Sequence, residues 1–257
     1  MRIGPYTTGQ IVEQDGDATV YAAQTPDGQA VLVTAIPPYS EESARQLHAR
    51  FYLVGRLRHP AILPLLANSQ TDDSTFYTVV RRLPTAIPQK GVLALADVLD
   101  ISARVSAALD YAHEQGVVHG HLRRSHIVRG LNGEIFLRGF ELAGQQAGVD
   151  ASHDIEELAR LIYRALAGKE PGARNARMLP RPITVVLRHA VTSEYATAGA
   201  FHEALEAAAK QKAPLTEAMS RPKRSSRRNI VLLGAALAVL AGIAAIAVLM
   251  NGGGFPH

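Results

Sequence analysis

The sequence contains no cysteine and no tryptophan. The first absence excludes a disulfide framework and any thiolate metal site, as suits a cytoplasmic domain. The second removes the strongest stacking surface for bases. Basic side chains are not spread along the chain either. The net formal charge is +4, but Arg221, Lys223, Arg224, Arg227 and Arg228 sit together and leave the remainder nearly neutral. A nucleic-acid-binding surface is therefore not expected. Residues 1–20 lack a basic segment followed by an apolar run, so no export signal is expected there. A hydrophobic fraction of 47% rules out a disordered tail and suffices for one sizeable domain or two small lobes with a shared interface.

One long apolar run is present. Residues 230–250 carry no charge, and at about 1.5 Å per residue they would span about 31 Å, the thickness of a hydrocarbon core. They are expected to form one transmembrane helix. The five basic groups precede it and no Lys or Arg follows it, which predicts a cytoplasmic N-terminal domain and a short extracytoplasmic tail, 251–257, at the cell membrane. The basic linker, 213–229, should be drawn to anionic lipid by about 1 kcal/mol per residue, and phosphate on Ser225 or Ser226 would weaken that attraction. Gly234, Ala238 and Gly242 recur every four residues and would let a second copy's helix approach. Ala and Gly fill the whole segment, however, so this spacing also arises by chance.

The N-terminal part changes character midway. Ile11–Val12 and Thr19–Ala23 flank Asp15-Gly16, and Thr25-Pro-Asp-Gly28 turns the chain into Ala30–Ile36, which predicts a three-stranded antiparallel meander. Over Ser40–Arg58 the positions Ala44, Leu47, Phe51, Val54 and Leu57 recur at helical spacing and predict a helix facing a sheet. Short strands are expected around Ile62–Leu66 and Phe76–Val80. After Pro84–Gly91 the pattern turns helical: Val98, Ile101, Val105, Ala108 and Ala112 form one stripe ended by Gly116. Short strands follow near Ile127 and Ile135–Leu137, then helices over Asp154–Ala167 and Thr197–Lys210. No internal repeat is evident.

Several strings match one family closely. Val20-Tyr-Ala-Ala23, His59-Pro-Ala-Ile62, Tyr111-Ala-His-Glu-Gln-Gly-Val-Val-His119 and Ile135-Phe-Leu-Arg-Gly-Phe-Glu-Leu-Ala143 occur in the order and at the spacing found in the bacterial Ser/Thr protein kinases. The chain resembles that family over residues 4–210. The resemblance implies an α+β, two-lobed kinase-like fold over residues 1–212, with a β-rich N-lobe and a reduced α-rich C-lobe. His119 and Phe140 would keep structural roles. Asp154 looks like the buried Asp that holds the catalytic-loop backbone, although it would also serve as a plain helix N-cap.

The same alignment shows what has gone. Phosphoryl transfer needs a Gly-rich loop, a strand Lys, a base and two metal ligands. The loop glycines fall on Glu13, Asp15 and Ala18, the Lys on Thr34, and its helix Glu partner on Arg50. The base falls on His121 and the metal ligands on His126 and Gly139, while Arg123 keeps the charge of a Lys position. Two carboxylates would thus face the phosphates, although Glu13, Asp15 and Asp17 also read as an ordinary solvated hairpin tip. Between Ala143 and Asp154 there is no Ala-Pro-Glu and little room for an activation segment. Glu194-Tyr-Ala-Thr-Ala replaces the Arg of a second ion pair. The implied protein is a pseudokinase that takes no cofactor or metal and scaffolds or regulates an unidentified protein partner at the membrane. Three alternatives stay open: unconventional nucleotide chemistry with Glu141 as a displaced metal ligand, a metal site at His119, His121 and His126, and a small-molecule sensor using the inter-lobe cleft.

Overall fold

Short strands build the first lobe. In a computed structural model that describes residues 1–38, 40–88, 91–142, 150–169 and 179–211, six strands form one antiparallel sheet. They are β1 (Arg2–Ile3), β2 (Tyr6–Asp15), β3 (Ala18–Gln24), β4 (Ala30–Ile36), β5 (Leu65–Gln70) and β6 (Phe76–Arg81), in the order β1-β2-β3-β4-β6-β5. The expected meander is its centre. β4 is buried along six of its seven residues because both faces are covered. Val31, Val33 and Ala35 pack with Tyr77 and Val79 on one face, and Leu32 packs with Val20, Leu63, Val80 and Val128 on the other. The Val128 contact joins the sheet to the second lobe. β2 is far longer than Ile11–Val12, and its ladder to β3 shifts register between Thr8 and Ile11 and again between Ile11 and Glu13.

Helix α1 (Glu41–Val54) starts at Ser40, whose hydroxyl accepts from the Ser43 amide at 3.1 Å, and ends four residues short of the predicted Arg58. Beyond it, the His59-Pro-Ala-Ile62 string joins the lobes. The Arg58 amide donates to the Tyr111 hydroxyl at 3.1 Å, and the His59 ring stacks on Tyr111. Leu137 N–H donates to Ala61 at 2.8 Å, and Leu63 N–H donates back to Leu137 at 2.9 Å. Two matching strings far apart in sequence are thus bonded to one another.

The second lobe is built on α2 (Leu95–Glu114), whose Val98, Ile101, Val105, Ala108, Leu109 and Ala112 are buried. Each large apolar side chain removed from water contributes about 1.5–3 kcal/mol. Beside α2 lies a small sheet of β7 (Thr85–Ala86), β8 (Ile127–Arg129) and β9 (Ile135–Leu137), and behind it α3 (Ala151–Ala167), α4 (Arg181–Val191) and α5 (Ala198–Lys210). The sequence reading predicts two helices between Leu137 and the linker, and the described residues there form three α-helices. α4 escapes because Pro182 reads as a breaker; in the first helical turn a missing N–H costs nothing, and Ile183, Leu187 and Ala190 are buried behind it. An Asp110 carboxylate on α2 accepts the Ala198 and Gly199 amides at 2.7 and 2.8 Å and fixes where α5 begins. Among the described residues no helix is long and apolar enough to cross a membrane. The predicted linker, membrane helix and tail, 213–257, lie outside the described residues.

Candidate functional site

Two groups of polar side chains meet between the lobes. The first hangs on Asp154, inside the first turns of α3 and fully buried. It does not cap the helix, because Asp150 does so by accepting the Ser152 and His153 amides. The Asp154 carboxylate accepts the His119 amide at 2.8 Å, the Gly120 amide at 2.6 Å and the His113 ring at 2.7 Å. Burial alone would raise its pKa, but these bonds and the neighbouring His119 bring it below the ordinary value. Glu157, one turn on, accepts the Leu122 amide. The loop 119–122 therefore takes its shape from α3.

His119 is fully buried on this loop. Its Nε2–H donates to the Arg138 carbonyl at 3.0 Å, and its ring meets Phe140 edge-on at 4.9 Å. Desolvation, helped by His126, lowers its pKa to about 4, so it is neutral at physiological pH.

The second group is centred on Glu13, near the end of β2. Its Oε2 accepts from Arg138 at 2.8 Å, and its Oε1 accepts from His126 Nε2 at 3.0 Å and from the Ser125 hydroxyl at 3.4 Å. Arg123 lies 3.7 Å from the same oxygen and reaches Asp15 at 3.2 Å, while His121 Nε2 stands 3.4 Å from Asp15. The solvated-tip reading fails for these two acids. The Glu13 side chain is only 9% exposed, against the open position of Asp17. Burial pushes Glu13 up, but the bonds and charges of His126 and Arg138 outweigh it and bring the pKa down to about 2. Burial also lowers His121, with Asp15 opposing and Arg123 assisting.

The remaining expected positions are wired to one another. The Thr34 hydroxyl donates to Glu141 Oε1 at 3.2 Å in the interior, and Arg50 donates to the Phe140 carbonyl at 3.2 Å. Burial lowers the Arg50 pKa to about 10, and the Glu141 carboxylate partly restores it. Gly139 adopts φ +99°, and a Cβ there would lie 3.0 Å from His126 Nδ1 and 3.3 Å from His119 Nε2. The His126 ring thus takes the space that a side chain at 139 would need. Ala18 is fully buried with Ile36, Phe51, Phe76 and Leu142.

The histidine trio does not form a metal centre: among the described residues no three His, Cys, Asp or Glu are placed to hold a metal ion. The sequence reading missed Arg138, the shortest partner of Glu13, and His113 and Glu157, which shape the loop. A signal existed. Glu13 and Asp15 stand where the resemblance expects loop glycines, in a chain that carries Arg123, Arg124 and Arg138.

These two lobes, with the loop 119–126 between them, define a protein-kinase-like fold of the type found in bacterial Ser/Thr kinase domains. Two crystal structures of the Mycobacterium tuberculosis PknI kinase domain superpose on the chain with TM-scores of 0.65 and 0.63 at 22% identity. The match covers 81% and 80% of this chain and 98% and 96% of theirs. Such identity shows the fold and not the activity. No protein-family model and no curated protein matches the sequence.

Proposed function

We propose that the chain is a membrane-tethered pseudokinase, a module that recruits or regulates a protein at the cytoplasmic face and transfers no phosphate. Phosphoryl transfer is positioning and charge neutralisation, and each group it uses has a different occupation here. One observation carries the reading: Glu13 bonds Arg138 and His126 at 2.8 and 3.0 Å, so the hairpin brings a carboxylate into the site where the fold's catalysts receive phosphates. The residues present do not fit a magnesium–nucleotide. His126 fills the space beside Gly139, and the buried Glu141 is bonded to Thr34. The same ion pairs occupy part of the cleft on which the sensor reading rests. The tether is supported by the uncharged run 230–250 and the basic cluster before it.

The full chain, titrated calorimetrically with ATP with and without Mg2+, should give no metal-dependent binding, and labelled ATP should leave no label on it. Micromolar, Mg2+-dependent binding would overturn the reading.

A further inference from the structure

Resting on that reading, we propose that Arg123 and Arg138, with the His126 ring beside them and His121 at the rim, form a recognition site for an extended acidic peptide of a partner protein. The structure shows the site filled by such a peptide in cis. Glu13 and Asp15 lie two residues apart on β2, and both point away from solvent while Gln14 between them is exposed. In a strand, residues i and i+2 share a face about 6.7 Å apart. Glu13 takes Arg138 and His126, and Asp15 takes Arg123 and His121. The site therefore reads the pattern acid-x-acid on extended backbone.

Two features make the cis segment replaceable. β2 pairs regularly with β3 from Glu13 to Asp15, but the ladder is broken by register shifts at Thr8–Ile11 and Ile11–Glu13, with Ile11 and Val12 exposed at the break. The segment 13–17, turned at Gly16 with φ +54°, can part from β3 at that break while Ala18 stays in the core. Arg138 also has capacity to spare, since its Nη1 is buried and without a hydrogen-bond partner.

Lifting the tip alone would strip Arg138, 4% exposed with Glu13 in place, of its anion. Release therefore requires another anion. Physiological acid does not supply the trigger, because His126 and Arg138 hold Glu13 ionised down to about pH 2. The other charges packed around the site, Glu157 and Asp154 on α3, are occupied by loop amides. A trans peptide must compete with a tethered one, so its apparent affinity is reduced by the fraction of chains with the tip lifted. Neutralising the cis acids removes that competition.

The test uses the full chain and its E13Q/D15N variant, with a fluorescent peptide copying residues 9–17 of this sequence as probe. Anisotropy should show the variant binding the probe at least about ten-fold more tightly than the parent. The gain should vanish when the probe's Glu and Asp are made adjacent, and also in E13Q/D15N/R123Q. Hydrogen exchange at 11–17 should rise in the double variant. Four results would each overturn the proposal: no gain, a gain indifferent to acid spacing, exchange that stays protected, or a site that takes inorganic pyrophosphate but not the peptide. Mg-ATP binding by the parent would instead strike the pseudokinase reading and leave the peptide measurement standing.

Discussion

Asp154 and Glu13 are both buried carboxylates that bind the loop 119–126, and they do so for different ends. Asp154 satisfies backbone amides at 119 and 120, which any sequence at those positions would present. Glu13 satisfies side chains, those of Arg138 and His126, which depend on the residue types at those positions. Bonds to the backbone keep the fold whatever chemistry it carries. Bonds between side chains record what the cleft has become. The comparison separates scaffold from site: the scaffold carboxylate sits where the kinase resemblance places it, and the site carboxylate stands where the resemblance calls for glycine.

The sharpest way to break the comparison is D154A. It leaves two buried amides and the His113 ring without their acceptor, and the loss of a buried carboxylate with its charge-assisted bonds should cost about 4 kcal/mol. Urea unfolding measures it, and a cost below about 1 kcal/mol would mean that α3 does not hold the loop. E13Q comes next at about 3 kcal/mol, because Arg138 is left buried beside a neutral group. E13L/R138M, which removes both charges, should recover most of that loss if the pair is replaceable.

The pH dependence sharpens the same contrast. Glu13 has a depressed folded pKa, so its contribution is complete above about 4.5 and is lost as pH falls toward about 2; over that window it amounts to about 3 kcal/mol at most. His119 is also depressed, to about 4, so stability begins to fall below about 6.5, where the unfolded chain takes up a proton that the folded one refuses. The parent should lose stability in two overlapping legs between pH 6.5 and 2, and E13Q should lack the lower one. A lower leg unchanged in E13Q would mean that Glu13 is not held as described.

The smallest effect, about 2 kcal/mol, is expected from G139D, which puts an acid back beside the loop. At φ +99° any side chain is strained, and its Cβ would press on His126. Thermal melts should show the loss, and calorimetry should show no nucleotide binding gained. A stable G139D variant that binds Mg-ATP would show that one residue divides this cleft from a catalytic one.

What could be read in the sequence follows the same division. The string Tyr111–His119 and the helical stripe of α2 are local, so periodicity and short motifs revealed them, and β4 announced itself by an apolar run interrupted only at Thr34. The two-residue strands β1 and β7 carry no pattern of their own and exist through their partners. α4 was hidden by Pro182, and the bond between Glu13 and Arg138 by a separation of 125 residues. That Glu13 and Asp15 stand where the resemblance expects glycines was legible. That those acids would be buried against cations was not, because pairing at such range depends on how the lobes close.

That separation also orders events in time. During synthesis Glu13 emerges 125 residues before Arg138 and 113 before His126, which at about 5–20 residues per second is a wait of roughly 6–25 seconds. Until residue 121 is made the first lobe carries two carboxylates with none of their final partners, and its hairpin tip has nothing to close upon. A chain stalled or cut before residue 121 therefore presents an acid-x-acid strand to whatever cationic surface is nearest, including the finished cleft of another copy.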